Sequence, residues 1–289
     1  MDIGTSPLLG GSLITITEGI IEFGQISLCL YSSARSNNDI KKVDPILRLA
    51  LDIDGVIGAS YSVGNNLIVS FGRNAAHSHI NNGRIIDSPS RLMELAPSSL
   101  IRETLKIKSE IQLSAFKKLR IVEFTNYLVL HANLDRRSHF FSHKKKRLSK
   151  GIEGLWSKAI ESFISSKPNT SIVLIGSDSR HFRKFDSNRI YNAHLEGLNL
   201  SEQLSLVEKS SGFVGMSAGP SVVALLGSTP YYVFKDASHH KTLMDQELGE
   251  KKGYDFSTSK QFYIREYPSA KNLLDSITSI SNGGNPWHT

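Results

Sequence analysis

A short turn between a strand and a helix is the segment of this sequence best suited to hold a phosphate. An apolar strand pattern at residues 212–217 runs into Ser217-Ala218-Gly219-Pro220-Ser221. Small side chains allow a ligand to approach the backbone closely, and the N–H groups that open a helix attract an anion. The hydroxyls of Ser217 and Ser221 would add hydrogen-bond donors. An ordinary tight turn could carry the same residues, so a purely structural role stays open.

Positive charge is concentrated in a second segment, residues 131–150. The 289-residue chain has 34 Lys and Arg against 27 Asp and Glu, a formal net charge of +7. Residues 131–150 contain seven basic and one acidic side chain, which is +6 of that total. A charge this localised argues against a generally basic nucleic-acid-coating protein. It indicates a local anion site, although residues 144–147 could be a solvated surface run.

The sequence lacks the motifs of several other chemistries. The histidine pairs His139/His143 and His239/His240 have no carboxylate partner of the HExxH kind, so no metal site and no cofactor are predicted. Neither GxSxG nor GxxxxGK[ST] occurs, so the sequence lacks the motifs that would indicate a serine hydrolase or a P-loop enzyme. The single cysteine, Cys29, lies in an apolar run and is predicted to be buried.

The elements that would position these residues alternate along the second half of the chain. Apolar strands are predicted at residues 126–131, 171–176, 212–217 and 231–234, with helices at 152–164, 199–209 and 220–226. Strands that are apolar throughout are typical of a parallel sheet covered on both faces. The pattern predicts a doubly wound α/β domain from about residue 122 to the end.

The first half carries a weaker version of the same alternation. Helices are predicted at residues 12–23, 45–51 and 101–119, and strands at 25–31 and 66–71. An opening strand before Gly10 is almost absent from the pattern. The N-terminus shows no signal-peptide pattern, and no apolar run is long enough to span a bilayer. A cytoplasmic enzyme is the resulting expectation.

The stretch 197–234, GLNLSEQLSLVEKSSGFVGMSAGPSVVALLGSTPYYVF, together with SIVLIGSDS at 171–179, resembles the donor-binding domain of GT-B glycosyltransferases. It is most similar to the heptosyltransferase-like group, and the resemblance covers about residues 122–240. It implies an α/β fold of two Rossmann-like domains whose parallel sheets face a cleft. Residues 1–121 would be the acceptor-side domain, small or incomplete, and residues 122–289 would bind a nucleotide-activated sugar without a metal.

The resemblance also implies roles for individual positions. Two of them depart from the family pattern, because Ser217 stands where an acidic residue is common and Val222 where a histidine is common. The implied contacts with the diphosphate or sugar are made by Ser217, Ala218, Gly219, Pro220 and Ser221. Those bordering the nucleotide and its base are Ser177, Asp178, Arg180 and Leu198.

The same resemblance implies a role for the basic segment, residues 131–150. His131 and Asn133 end the first strand of the donor domain, so Arg136 and Arg137 would reach the cleft and bind the diphosphate. The cluster would equally suit an anionic membrane surface, as a peripheral contact near a lipid-linked acceptor.

A general base is needed to take the proton of the acceptor hydroxyl in an inverting transfer. The residues that could supply it in the first domain are Asp2, Glu18, Glu22, His77 and His79. Glu18 and His79 are the predicted catalytic residues.

The sequence therefore predicts a metal-independent glycosyltransferase of polysaccharide biosynthesis. Its partners would be a nucleotide-sugar donor and a surface-glycan or lipid-linked acceptor, with no nucleic acid. Two alternatives remain: a nucleic-acid or anionic-surface binding protein that uses residues 136–150, and an NAD-type Rossmann enzyme, which would need a GxGxxG motif that is absent.

Overall fold

The chain forms two compact units, which are described separately. A computed structural model describes residues 2–5, 9–32, 40–63, 66–72, 102, 105–121, 126–132, 147–235, 253–266 and 268–281. One unit consists of Met1–Ile111 with Lys241–Asp255, and the other of Gln112–His240 with Phe256–Thr289. Both contain strands and helices, so the predicted α/β class is confirmed.

The first unit is built on a four-stranded sheet whose strands lie in chain order. Its strands are β1 (Asp2–Thr5), β2 (Ile26–Ser32), β3 (Val56–Val63) and β4 (Asn66–Gly72). The first three are parallel, with helix α1 (Leu9–Phe23) between β1 and β2 and helix α2 (Ile40–Leu51) between β2 and β3. The pair β3 and β4 is antiparallel, which the parallel-sheet prediction did not include.

Three features of this unit differ from the sequence prediction. The opening strand is present as β1, four residues long. Helix α2 begins at Ile40, five residues before the predicted start at Pro45. Strand β3 was not predicted, because its buried Ser60 and Ser62 interrupt the apolar pattern.

Helix α3 (Ser109–Leu119) is shorter than the predicted helix at 101–119. Ile107 forms an isolated antiparallel bridge with Ile53, and the N–H of Lys108 donates to the carbonyl of Asp52 at 2.9 Å. Since these residues use their backbone groups for an extended pairing, the helix cannot begin before them.

The second unit is built on a six-stranded, fully parallel sheet. Its strands are β5 (Tyr127–His131), β6 (Ser171–Leu174), β7 (Ile190–Asn192), β8 (Gly212–Met216), β9 (Tyr231–Phe234) and β10 (Gln261–Ile264). The strand order is β10-β9-β8-β5-β6-β7. Counted within the unit this is 3-2-1-4-5-6, the doubly wound order that the alternation of strands and helices predicted.

Helices cover both faces of this sheet. They are α4 (Arg147–Ser166), α5 (Leu200–Glu208), α6 (Ser221–Leu226) and α7 (Ala270–Ser281). One apolar cluster joins Trp156 of α4 and Leu273 of α7 to alternate residues of the strands, including Phe234. The short strands β7 and β10 and helix α7 were not predicted. In the described part of the chain, no helix combines the length and apolarity needed to cross a bilayer.

Candidate functional site

The strand order of the second unit reverses between β5 and β8, and the candidate site lies where these two strands end. In open parallel sheets, ligands bind outside the carboxyl ends of the strands at such a reversal, because the connections there lead away in opposite directions. His131 is the last residue of β5, and the turn at residues 217–220 follows the last residue of β8, Met216. The predicted phosphate turn therefore lies at the reversal.

The turn is held by its own short hydrogen bonds. The Ser221 hydroxyl accepts from the N–H of Ala218 at 3.0 Å and donates to the carbonyl of Ala218 at 2.7 Å. The N–H of Val222 donates to the carbonyl of Gly219 at 3.2 Å. Within the described ranges the N–H of Gly219 has no hydrogen-bond partner, so it is available to a ligand. Ser221 is fully buried and shapes the turn from behind.

A buried histidine and aspartate meet beside this turn. Nε2 of His131 lies 3.7 Å from Oδ1 of Asp178, and the two residues are 4% and 5% exposed. Asp178 lies in the 3-10 turn Ser177–His181, which follows β6. Two residues that the resemblance placed separately, at the ends of adjacent strands, are thus brought into one polar pair.

Burial lowers the pKa of His131 below that of an ordinary histidine. The charge of Asp178 and the backbone of Met216 act in the opposite direction, but the cost of desolvating a charged imidazole is larger. The ring is therefore neutral near pH 7. Nδ1 is buried and has no hydrogen-bond partner with normal geometry among the described residues.

Gly176 makes the close approach of His131 to Asp178 possible. Its φ of 93° lies in the left-handed region, and a Cβ placed there would lie 2.6 Å from Oδ1 of Asp178 and 2.7 Å from Cδ2 of His131. Its N–H donates to Oε1 of Gln203 at 2.8 Å, while Nε2 of Gln203 donates to the carbonyl of Leu198 at 2.8 Å. One glycine and one amide side chain thus tie the loop after β6 to the start of α5.

The remaining predicted nucleotide contacts divide into exposed and buried positions. Ser177 and Arg180 are exposed on the 3-10 turn, and Nε of Arg180 donates to Nε2 of His181 at 3.3 Å. Leu198 is 4% exposed, so its side chain is covered within the unit. The Ser179 hydroxyl lies 2.8 Å from Oδ1 of Asn192, which fixes the turn against the end of β7. The roles of all these residues in binding stay predictions.

Helix α5 is anchored by a second buried network, centred on Glu202. Its carboxylate accepts from Nζ of Lys118 and the hydroxyl of Ser114, both at 2.7 Å, and from the N–H of Asn199 at 2.9 Å. Burial on its own would raise the pKa of Glu202, but these hydrogen bonds outweigh it and hold the pKa below the usual range. The network ties α5, and with it Gln203, to α3.

Of the two predicted catalytic residues, the structure describes Glu18. It is 2% exposed and lies nine residues after the start of α1, about 13 Å along the helix. The end of α1 lies near Gly55, which precedes β3, since a Cβ on Gly55 would approach the carbonyl of Gly24 to 3.0 Å. Glu18 therefore lies in the second half of α1, toward the end that is near Gly55, and its catalytic role stays a prediction.

Several predicted residues lie outside the described ranges, and their roles stay predictions. They are His79, Asn133, Arg136 and Arg137, together with the lysines of the basic segment, residues 144–146. In the described part of the chain, no group of three or more His, Cys, Asp and Glu side chains is arranged to hold a metal ion.

Two features of the candidate site were not predicted from the sequence: the polar contacts of Gln203 and the hydroxyl of Tyr263. Tyr263 OH lies 3.1 Å from Oγ of Ser217. Gln203 lies inside a helix that is buried over residues 201–207, and Tyr263 lies in a strand that was not predicted. No spacing signal in the sequence marks either residue.

The described strands and helices define the class of fold: a two-unit α/β chain with a doubly wound parallel sheet in its second unit. A search of solved structures finds the E. coli ADP-heptose lps heptosyltransferase II, with a TM-score of 0.50 and 12% sequence identity. The match covers 97% of this chain and 98% of that chain. The predicted fold is confirmed by this likeness, which at such an identity shows the fold alone.

No protein-family model matches the sequence, and the search of curated proteins finds no similar chain.

Proposed function

We propose that this chain is a glycosyltransferase that moves a sugar from a nucleotide-sugar donor to a surface-glycan or lipid-linked acceptor. The observation that carries the proposal is the position of the turn 217–220 beside the His131–Asp178 pair, at the reversal point of a fully parallel sheet. The likeness of nearly the whole chain to the fold of an lps heptosyltransferase supports the same activity class.

We propose that the donor diphosphate lies against the turn that follows β8. The N–H of Gly219 points to no partner among the described residues, and small side chains on either side leave room for a phosphate oxygen. Arg136 and Arg137 would supply further positive charge from the basic segment. With the charge of the leaving diphosphate neutralised in this way, the transfer would proceed without a metal.

In the reaction, an acceptor hydroxyl would attack the anomeric carbon while the bond from that carbon to the diphosphate oxygen breaks. The hydroxyl proton must pass to a base, and the nucleoside diphosphate leaves as an anion. Glu18 and His79 are our two proposed bases. Neutral His131 would border the nucleotide as a positioning residue.

We place the enzyme in the cytoplasm, at the inner membrane surface. The basic segment would contact anionic lipid while the active site handles a lipid-linked acceptor.

The test is a thermal-shift panel of nucleoside diphosphates and nucleotide sugars on the full chain. We expect at least one uridine, guanosine, adenosine or cytidine compound to raise the Tm. Gly219→Leu should abolish that increase, because a bulky side chain in the turn would hinder the close approach of the diphosphate to the backbone. The matched control is Gly154→Leu, at an exposed glycine of α4 with no atom within 4 Å of its Cβ position.

The proposal is wrong if no compound of the panel shifts the Tm of the wild-type chain. It is equally wrong if Gly219→Leu and Gly154→Leu respond to the ligand as the wild type does.

A further inference from the structure

A buried glutamine connects two loops at the carboxyl edge of the second unit's sheet. Gln203 lies in α5 and is 7% exposed. Its Oε1 accepts from the N–H of Gly176, in the loop after β6, and its Nε2 donates to the carbonyl of Leu198, in the loop after β7, both at 2.8 Å. A buried amide that is bonded to the backbone at both its oxygen and its nitrogen holds those two backbone segments at a fixed separation.

The first of these loops carries the polar pair of the candidate site. Gly176 has a φ of 93° and turns the chain from β6 into the 3-10 turn Ser177–His181. Asp178 of that turn lies 3.7 Å from His131, measured between Oδ1 and Nε2. The direction of the turn depends on the backbone of Gly176, because few other residues adopt this φ. Gln203 therefore acts on Asp178 through Gly176.

The second loop carries the residue that was predicted to lie near the base of the nucleotide, Leu198. Its N–H donates to the carbonyl of Ala193 at 3.0 Å. The N–H of Ala193 donates in turn to the carbonyl of Leu174, the last residue of β6, at 2.9 Å. Both loops therefore lie at the carboxyl end of β6, and the amide of Gln203 joins them.

Helix α5 is itself fixed at its first turn. The side chain of Asn199 accepts from the N–H of Glu202 at 2.9 Å, and the carboxylate of Glu202 accepts from the N–H of Asn199 at 2.9 Å. This reciprocal cap fixes the helix end that carries Gln203. Gln203 uses its amide to hold the backbone, so its effect on a ligand would pass through the two loops.

We propose that Gln203 is a positioning residue for the nucleoside of the donor. It fixes the spacing between the turn that carries Asp178 and the loop that carries Leu198, and the nucleoside would bind between them. The inference rests on the proposed function, which it extends from the diphosphate at the turn 217–220 to the nucleoside. That turn follows a different strand, β8, so the loss of Gln203 should affect the nucleoside more than the diphosphate.

The test compares binding of two kinds of probe to the full chain by calorimetry at low salt. They are the uridine, guanosine, adenosine and cytidine diphosphates on one side and inorganic pyrophosphate on the other. Gln203→Met removes both hydrogen bonds and keeps a side chain of similar length. We expect it to weaken the tightest nucleoside diphosphate about tenfold or more, and pyrophosphate by less than about threefold. A general loss of structure would weaken both probes alike.

The matched control is Gln261→Met, at a second buried glutamine of the same sheet. Gln261 is 3% exposed, and its Nε2 donates to the carbonyls of Gly227 and Thr229 at 2.9 and 3.0 Å. These residues lie where β9 and β10 begin, at the opposite edge of the sheet. We expect Gln261→Met to lower the Tm to a similar extent and to leave the affinity for both probes unchanged.

Gln203→Glu is a second variant, which decides the question if Gln203→Met does not fold. A protonated carboxyl group can accept from Gly176 and donate to Leu198, whereas a carboxylate can only accept. Burial favours the protonated form as the pH falls. We therefore expect the nucleoside diphosphate affinity of Gln203→Glu, relative to the wild type at the same pH, to recover between about pH 7.5 and 5.5.

Failure of this inference and failure of the proposed function give different results. The positioning role is refuted, and the proposed function stands, if a nucleoside diphosphate binds Gln203→Met as tightly as Gln261→Met. A loss of pyrophosphate binding as large as the loss of nucleoside diphosphate binding, or a Gln203→Glu affinity that does not recover at low pH, refutes it as well. If none of the probes binds the wild type, the proposed function is refuted and the positioning role with it.

Discussion

The two sheets of this chain contain similar elements in different orders, and the order explains where a ligand can bind. In the first unit the described strands follow one another as β1-β2-β3-β4, so each connection moves in the same direction. In the second unit the chain builds β5-β6-β7 one way and β8-β9-β10 the other way. Among the described strands, only those of the second unit contain a reversal, and a reversal opens a crevice at the carboxyl edge.

The two sheets also differ in the polar groups that lie buried in or beside them. The first sheet buries small hydroxyls, such as Ser60, which donates to the carbonyl of Leu28 at 3.5 Å. The second unit buries charged or ionisable side chains at the carboxyl edge of its sheet, namely His131, Asp178 and Lys235. Small hydroxyls bonded to the neighbouring strand serve packing, whereas buried ionisable groups at strand ends are typical of binding sites. The contrast supports our proposal that the second unit binds the donor.

The largest effect is expected from Gly176→Ala. The new methyl group would overlap the His131 ring and the Asp178 carboxylate, in a backbone conformation with positive φ. We expect a loss of about 3 kcal/mol or more in the free energy of unfolding, measured with urea. Gly197→Ala is the matched control, since Gly197 has a φ of 74° and open space around its Cβ position. It should cost only about 1–2 kcal/mol. Equal losses in the two variants would mean that the close approach around Gly176 is unimportant.

A smaller loss is expected from Glu202→Gln, which removes the charge that Lys118 and the N–H of Asn199 neutralise. The expected cost is about 2 kcal/mol at pH 7. The pKa of Glu202 is lowered in the folded state, so its contribution exists above the unfolded pKa and disappears as the pH falls through the folded pKa. The difference in urea midpoint between wild type and variant should therefore be present at pH 7 and shrink in the acid range.

The control for this variant is Glu161→Gln, which breaks the exposed ion pair with Arg183. It should cost under about 1 kcal/mol. A cost at Glu202 no larger than that at Glu161 would show that the buried network does not stabilise α5.

The smallest effect is a pH dependence that belongs to His131. Its folded pKa lies below the unfolded value, so its contribution to stability is complete above about pH 6.5 and is lost as the pH falls below that value. His131→Gln should flatten the fall in urea midpoint between pH 7.5 and 5.5. His181→Gln, at an exposed histidine of the 3-10 turn, should leave it unchanged. If the urea midpoint of His131→Gln falls with pH as steeply as that of the wild type, the imidazole of His131 is not neutral and buried in the folded state.

The strands that could be predicted are those in which apolar pattern and burial coincide. Strands β5, β6, β8 and β9 are buried throughout, so their sequences are continuous apolar runs. Strand β3 is equally buried but uses Ser60 and Ser62, whose partners lie on β2 and cannot be read from local pattern. Strand β7 is half-exposed and three residues long, too short for any periodicity to show.

The candidate site was predicted where it is local in sequence and missed where it depends on long-range pairing. The turn 217–220 is marked by its own residues. The approach of His131 to Asp178 joins residues 47 positions apart, and the hydroxyl pair of Ser217 and Tyr263 joins residues 46 positions apart. These contacts follow from strand order and register, which a single sequence does not determine.

Hydrogen–deuterium exchange on the full chain, with and without the stabilising nucleoside diphosphate, tests the central claim most directly. We expect slower exchange in peptides that contain the carboxyl ends of β5, β6 and β8, above all residues 217–222. Peptides from the opposite edge of the same sheet, such as those around residues 209–212, should be unchanged. Protection confined to the first unit or to that opposite edge, or no nucleotide-dependent protection at all, would contradict the claim that this edge binds the donor.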